Sequence, residues 1–332
     1  MKVISIALFL ICALQGLAWD IDSARARRIG ALMQENLCVV DQDGIPVQGA
    51  RVWCGVQIGP GMNDYSVVSG STDTNGEYCI QAECTKAVNC RIRKHGYYAC
   101  ETNFVYGAKG SSEELSDGRW QPYGERRVIR LMKMINPVPM TGWTRRRDFK
   151  IPRYGDWIGF DLEAGDYTKP HGAGKCDDVL LRFFMEDKAM DDCRMTMEVS
   201  FTNSLCAGAY KFSRRLESEL QGEYKAATNA TYESYLKYVF ERRPGCPVLK
   251  QMLSESEGLV FRIRTVVDEA GNLKSARYGK MLGPWKFVGP GGMSLPSVQI
   301  SRADNDLNLE DEASYEAALK SEERFNASHP EK

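Results

Sequence analysis

Between Val39 and Ile80 the chain reads VVDQDGIPVQGARVWCGVQIGPGMNDYSVVSGSTDTNGEYCI, and that stretch constrains the fold more than any other. Val52, Cys54, Val56 and Ile58 alternate with Arg51, Trp53, Gly55 and Gln57. Tyr78, Ile80 and Ala82 alternate with Glu77, Cys79 and Gln81 in the same way. A two-residue period sends alternate side chains to opposite faces of a strand, so each set reads as half-buried β-structure. Asp43-Gly44 and Asn75-Gly76 are hairpin-type turn signals, because Gly takes positive φ at little steric cost and Asp or Asn nearly so. The expectation is a run of four short strands.

The order of these residues also resembles a known family. Val40, Asp41, Gly44, Pro46, Val47, Gly49, Ala50 and Val52 form V-D-x-x-G-x-P-V-x-G-A-x-V, and Thr72, Asp73, Gly76 and Tyr78 follow as T-D-x-x-G-x-Y. With Gly96-Tyr97 further on, the pattern is similar to the carboxypeptidase regulatory-like domain family. The resemblance implies a prealbumin-like β-sandwich over residues 37–135, of the kind added as a module to secreted and surface proteins, with no catalytic residues of its own. Six cysteines and the long segment Glu101–Arg127 depart from the family pattern.

Residues 1–18 read as an export signal: Lys2, an apolar run from Val3 to Leu17, and Gly16-Leu17-Ala18 as a small-x-small cleavage site. That run is shorter than a bilayer requires, so no membrane span is expected once the signal is removed. Cysteine parity agrees with export. Of 11 cysteines, Cys12 leaves with the signal and an even set remains. Cys38, Cys54, Cys79, Cys84, Cys90 and Cys100 belong to the first domain, and Cys176, Cys193, Cys206 and Cys246 to the second. All ten are disulfide candidates in an oxidising compartment, secreted or periplasmic, with the pairing left open. Zinc is not expected, since no C-x-x-C pair occurs.

The domains read as a leader or short helix over 19–36, the sandwich over 37–135, a larger β-rich domain over 136–301 and an acidic polar tail over 302–332. Asn136-Pro137-Val138-Pro139 marks the boundary, as two prolines two apart favour an extended connector. In the second domain Met195, Met197, Val199 and Phe201 alternate, and Asp268–Asn272 turns one strand into the next. Tyr232, Tyr235, Leu236, Val239 and Phe240 recur at three- and four-residue spacing, which predicts one amphipathic helix capped by Thr231 and stopped by Pro244-Gly245. A second short helix is expected around Ser314–Arg324. The fold class is therefore mainly β.

Candidate chemistry is sparse. The three histidines, His95, His171 and His329, have no Glu three residues on, which argues against a metallocarboxypeptidase; H-E-x-x-H and G-x-S-x-G are also missing. Asp304-Asn305-Asp306-Leu307-Asn308 starts like a calcium loop but has Leu309 where Gly is needed. No catalytic residue, metal or cofactor is therefore assigned. The most distinctive stretch is Gly165–Asp178, a loop whose Asp166, His171, Asp177 and Asp178 are candidates to meet on a cation or a sugar hydroxyl. With a net charge of −1 no nucleic-acid partner is expected. The expected role is a non-enzymatic binding or structural module of the cell envelope or extracellular space, its ligand unknown and its partner class a surface glycan or protein. The alternative is an extracytoplasmic glycan-active enzyme using acids of the second domain. Trp143, Trp157 and Trp285 are the aromatics of interest for a binding face.

Overall fold

The computed structural model describes residues 23–61, 63–107, 115–143, 145–186, 192–203, 205–288, 291–312 and 320. The leader expected over 1–18 lies outside them, as do all but one residue of the helix expected over Ser314–Arg324. The protein is mainly β and divides into two compact units, Met1–Lys133 and Met134–Lys332.

In the first unit two sheets enclose one core. Ala31–Val40 lies inside a five-stranded sheet, antiparallel to Glu77–Cys84 and parallel to Glu125–Arg130. The second sheet runs Tyr65–Ser71, Arg51–Gln57, Ala87–Arg93, Cys100–Val105, each pair antiparallel. Leu37, Ile80 and Ile129 from one sheet meet Val52, Val88 and Ile92 from the other. Each such side chain contributes about 1.5–3 kcal/mol when fully buried. Cys54 and Cys90 are directly opposed across neighbouring strands and joined by a disulfide.

The sequence places the first strand of the sandwich after a leader over 19–36; the structure starts it earlier. A short helix, Ser23–Ile29, ends at Gly30 (φ +91°), and the strand begins at Ala31. Ala31, Met33, Glu35 and Leu37 all point inward. The acid hid this alternation. Glu35 is fully buried because Tyr106 Oη donates to it at 2.7 Å and Arg127 Nε at 3.1 Å.

Three turns share one construction. Asp41, Asp73 and Asp268 each accept, on Oδ1, the amides two and four residues on, at 2.8–2.9 Å. The residue three on is Gly44, Gly76 or Gly271, with φ between +74° and +84°. The carboxylate thus satisfies amides that a tight turn leaves without partners. Only the last of the three joins hydrogen-bonded neighbours, Glu257–Val267 and Leu273–Leu282. The Asp41 and Asp73 turns instead lead from one sheet of the sandwich to the other, so the turns are where the sequence puts them and the hairpin partners are not.

The second unit is also built on packed sheets. A five-stranded sheet runs Met140–Trp143, Ser297–Ser301, Leu273–Leu282, Glu257–Val267, Gly208–Ser213. A six-stranded sheet runs Asp166–Tyr167, Trp157–Asp161, Val179–Glu186, Cys193–Phe201, Tyr235–Arg242, Leu249–Gln251. Phe160, Phe183, Met197 and Val199 from the second sheet share a core with Phe261, Met281, Val298 and Ile300 from the first.

Two expectations are corrected here. The segment predicted as an amphipathic helix capped by Thr231 is the strand Tyr235–Arg242, in register with Cys193–Phe201 from Ser200↔Tyr235 to Cys193↔Arg242. Its aromatic and β-branched residues fit either period, and eight cross-strand partners decide for the strand. The segment after Arg302 is not simply a polar tail: Leu309, Glu310 and Asp311 are buried. Glu310 accepts the amides of Ile135 and Asn136 at 2.8 and 2.7 Å, Gln299 Nε2 donates to Asp311, and Lys280 Nζ donates to the Leu309 carbonyl. Charge alone reads as solvent exposure, but here Glu310 and Asp311 are buried and each accepts hydrogen bonds.

Candidate functional site

The loop Gly165–Asp178 is held by its own carboxylates. Asp166 accepts the amides of Tyr167 at 2.8 Å and Ala173 at 2.9 Å. Asp177 is exposed and takes the Thr168 hydroxyl at 2.6 Å. His171 is half-buried and its backbone amide donates to the Thr168 carbonyl. Asp178 turns the other way, 1% exposed, to meet Arg264 and the Leu162 amide. Asp166 and Asp178 therefore answer to separate partners, while Asp177 and the His171 backbone both meet Thr168. Among the described residues no group of three His, Cys, Asp or Glu side chains is placed to hold a metal ion.

The organiser of the loop is a residue the sequence did not single out, Asp161. Its Oδ1 accepts the amides of Glu163 and Ala164, its Oδ2 those of Lys175 and Cys176, all within 2.9–3.2 Å. One carboxylate thus ties the two ends of the loop together. An Asp four residues before Gly165 (φ +63°) was the available signal, a relative of the turn pattern described above. Burial pushes the Asp161 carboxyl up, but those amides and Arg264 overcome it and hold it below the usual range. At Asp178 burial wins over Arg264 and the Leu162 amide, and the carboxyl is raised. Arg264 also reaches Glu163 and Asp161, and Arg277 stands 3.7 Å from Glu163. Arg264 thus engages Asp161, Glu163 and Asp178, while Asp166 and Asp177 meet backbone amides and the Thr168 hydroxyl.

A different arrangement lies on the outer face of the six-stranded sheet. Trp157, Arg182, Glu198 and Lys237 are successive register partners across four strands. The Arg182 guanidinium lies 4.4 Å from the Trp157 ring centre and 5.3 Å from that of Phe184. Its Nε and Nη2 both donate to Glu198 Oε2, at 2.8 and 2.6 Å, and Lys237 Nζ stands 3.5 Å from Oε1. Burial would raise the Glu198 carboxyl, yet the hydrogen bonds from Arg182 and Tyr235 and the two cations bring it below its ordinary value. Trp157 (39% exposed), Phe184 and Tyr235 remain open to solvent on this face. Beside them is a shallow hollow of about 550 Å³ lined by Tyr154, Phe184, Arg194, Thr196, Glu198 and Lys237. The other two tryptophans of interest, Trp143 and Trp285, are core residues.

No family model matches the sequence, and no curated protein matches it. Among solved structures the chain is similar to 3-chlorocatechol 1,2-dioxygenase from Rhodococcus opacus, with 13% identity over 32% of this chain and 62% of that one, at a TM-score of 0.26. It is similar to catechol 1,2-dioxygenase from Acinetobacter radioresistens, with 13% identity over 35% and 56%, at 0.25. Both matches span less than two thirds of the dioxygenase chains. The shaft pilin of Lactobacillus rhamnosus GG aligns over 84% of this chain and 94% of its own, with 11% identity and a TM-score of 0.22. At such scores these likenesses carry no argument about activity.

Proposed function

We propose that the protein is an exported binding or structural module without catalytic activity, and that the outer face of the six-stranded sheet is its contact surface. One observation carries this reading: the Trp157–Arg182–Glu198–Lys237 ladder sets flat aromatic surface beside a fixed pair of charges, next to a shallow hollow. Such a surface offers stacking and directional hydrogen bonds together, which suits a glycan or an extended polar protein segment. The export-type leader and the even set of mature cysteines support an extracytoplasmic location. The first unit is read as a carboxypeptidase regulatory-like module on the strength of the residues quoted above.

The glycan-active enzyme is the competing reading, and the raised Asp178 beside the lowered Asp161 is the feature that would serve it. Both Asp178 oxygens are taken, by Arg264 and the Leu162 amide, which weighs against a free general acid. The test is a screen of the full chain against immobilised glycans and surface proteins, with products of hydrolysis followed in the same wells. Binding that weakens about tenfold in Trp157→Ala, the scale of one stacking contact, supports the reading. Turnover of any glycan overturns it.

A further inference from the structure

Four cysteines in the second unit, Cys176, Cys193, Cys206 and Cys246, allow three pairings by count. Their places on one pair of strands separate these. Val179–Glu186 and Cys193–Phe201 run antiparallel, paired from Val179↔Phe201 at one end to Glu186↔Arg194 at the other. At about 3.4 Å per residue those ends stand about 25 Å apart.

Cys176 and Cys206 belong to the first end. Pairing continues past Phe201 as Thr202 donates its amide to the Asp178 carbonyl and its hydroxyl to that of Asp177. Cys176 is two residues from Asp178, and Cys206 folds back in a turn whose amide donates to the Asn203 carbonyl at 3.2 Å. Asn203 itself takes the left-handed conformation, φ +60°, that reverses the chain there. Arg264 holds Asp178, two residues from Cys176, and Arg262, two residues earlier on the same strand, donates to the Cys206 carbonyl. Cys193 and Cys246 belong to the opposite end. Cys193 is the register partner of Arg242, and Cys246 lies one turn beyond, its amide donating to the Arg243 carbonyl at 3.1 Å.

Bridged cysteines have Cα atoms about 4.4–6.8 Å apart. Either pairing that crosses from one end to the other would have to span the whole strand pair. We infer that the second unit closes Cys176–Cys206 and Cys193–Cys246, one bridge at each end of its central strand pair. This rests on the export reading above, since it needs an oxidising compartment. In each bridge one thiolate attacks the disulfide of an oxidant, a small-molecule or protein disulfide, releasing one oxidant thiolate and forming a mixed disulfide; the second cysteine thiolate attacks the cysteine sulfur of that mixed disulfide and displaces the oxidant's other thiolate. Two electrons and two protons leave the cysteine pair, and the oxidant ends as two thiols. The first bridge pins the Gly165–Asp178 loop to the Asn203 turn; the second pins the Arg243–Cys246 turn to the strand end at Cys193. Cys176 and Cys246 are exposed and Cys206 is half-buried, whereas Cys193 is buried at its strand end.

Trypsin separates all four residues, because Arg182, Lys188, Arg194, Lys211 and Arg242 fall between them. The full chain, expressed with its own leader in a secreting host, is alkylated, digested without reduction and mapped by mass spectrometry. The expected linked peptides hold Cys176 with Cys206 and Cys193 with Cys246. Cys176→Ser is expected to leave Cys206 alkylated and Cys193–Cys246 intact. Any linkage between the two ends, or four alkylated thiols beside an oxidised Cys54–Cys90, overturns the pairing and leaves the export reading standing. Alkylation of all ten overturns both.

Discussion

Arg264 holds Asp178 through a two-point fork, Nε to Oδ1 at 2.9 Å and Nη2 to Oδ2 at 3.2 Å. It does so from a left-handed backbone, φ +51°, at an irregularity in the Ile263/Val266 pairing. A non-glycine residue there costs about 1–2 kcal/mol, and the fork onto a buried carboxylate offsets that cost. Arg264→Met leaves Asp178 buried with no cation above it. The expected loss is about 3–5 kcal/mol, read from urea unfolding. Adding Asp178→Asn is expected to recover most of it; a double variant no better than the single would show that the arginine acts through packing alone.

The D-x-x-G-x turns give a sharper contrast. Gly44 and Gly76 have similar positive φ, +81° and +74°, in the same motif. A Cβ at Gly44 meets nothing within 4 Å, whereas at Gly76 it would sit 2.3 Å from the Val39 carbonyl oxygen. Gly44→Ala is therefore expected to cost about 1 kcal/mol, the price of the backbone conformation. Gly76→Ala should cost about 2–4 kcal/mol, as the clash adds to it. Thermal unfolding of the two variants checks the order; equal melting temperatures would contradict it.

Cys54 and Cys90 are 36 residues apart in sequence. Cross-linking a loop of that size removes unfolded-state entropy worth about 4 kcal/mol. The double variant Cys54→Ser/Cys90→Ser is expected to lose roughly that amount, less whatever the small hydroxyls recover. Denaturation under non-reducing conditions provides the comparison.

Lys280 predicts a pH effect with an unusual sign. Burial, opposed by Asp311 and Glu310, lowers its pKa from 10.5 to about 8 in the folded protein. Between those two values the unfolded chain binds the proton and the folded chain does not. Stability from this group therefore rises with pH across that window and is flat below it. Asp161 works in the opposite regime: its lowered carboxyl contributes above its ordinary value and is lost as pH falls below it. Lys280→Met is expected to abolish the alkaline rise, seen as urea midpoints that no longer climb across the window. A wild type whose midpoints fall steadily there would count against it.

The legible parts of this fold are those decided by neighbours in sequence. The alternation of Val52, Cys54 and Val56 placed a strand correctly because a two-residue period leaves one apolar face whatever that face meets. The Asp–Gly turns at Asp41, Asp73 and Asp268 could be read because the carboxylate bonds amides only two and four residues away. The Tyr232–Phe240 stretch could not, since its spacing satisfied two periods and only the register against Cys193–Phe201 chose between them.

The surface proposed for contact belongs to the same second class. Trp157, Arg182, Glu198 and Lys237 are scattered over 80 residues of sequence and mean nothing until four strands lie side by side. By itself the sequence determined the strands with a clean two-residue period and the positions of the Asp–Gly turns, because each depends on local geometry. Tertiary structure decided which strands pair, that Asp178 faces Arg264 while Asp177 faces water, and which aromatics stay exposed. Those outcomes depend on contacts between residues far apart along the chain, and no local pattern encodes them.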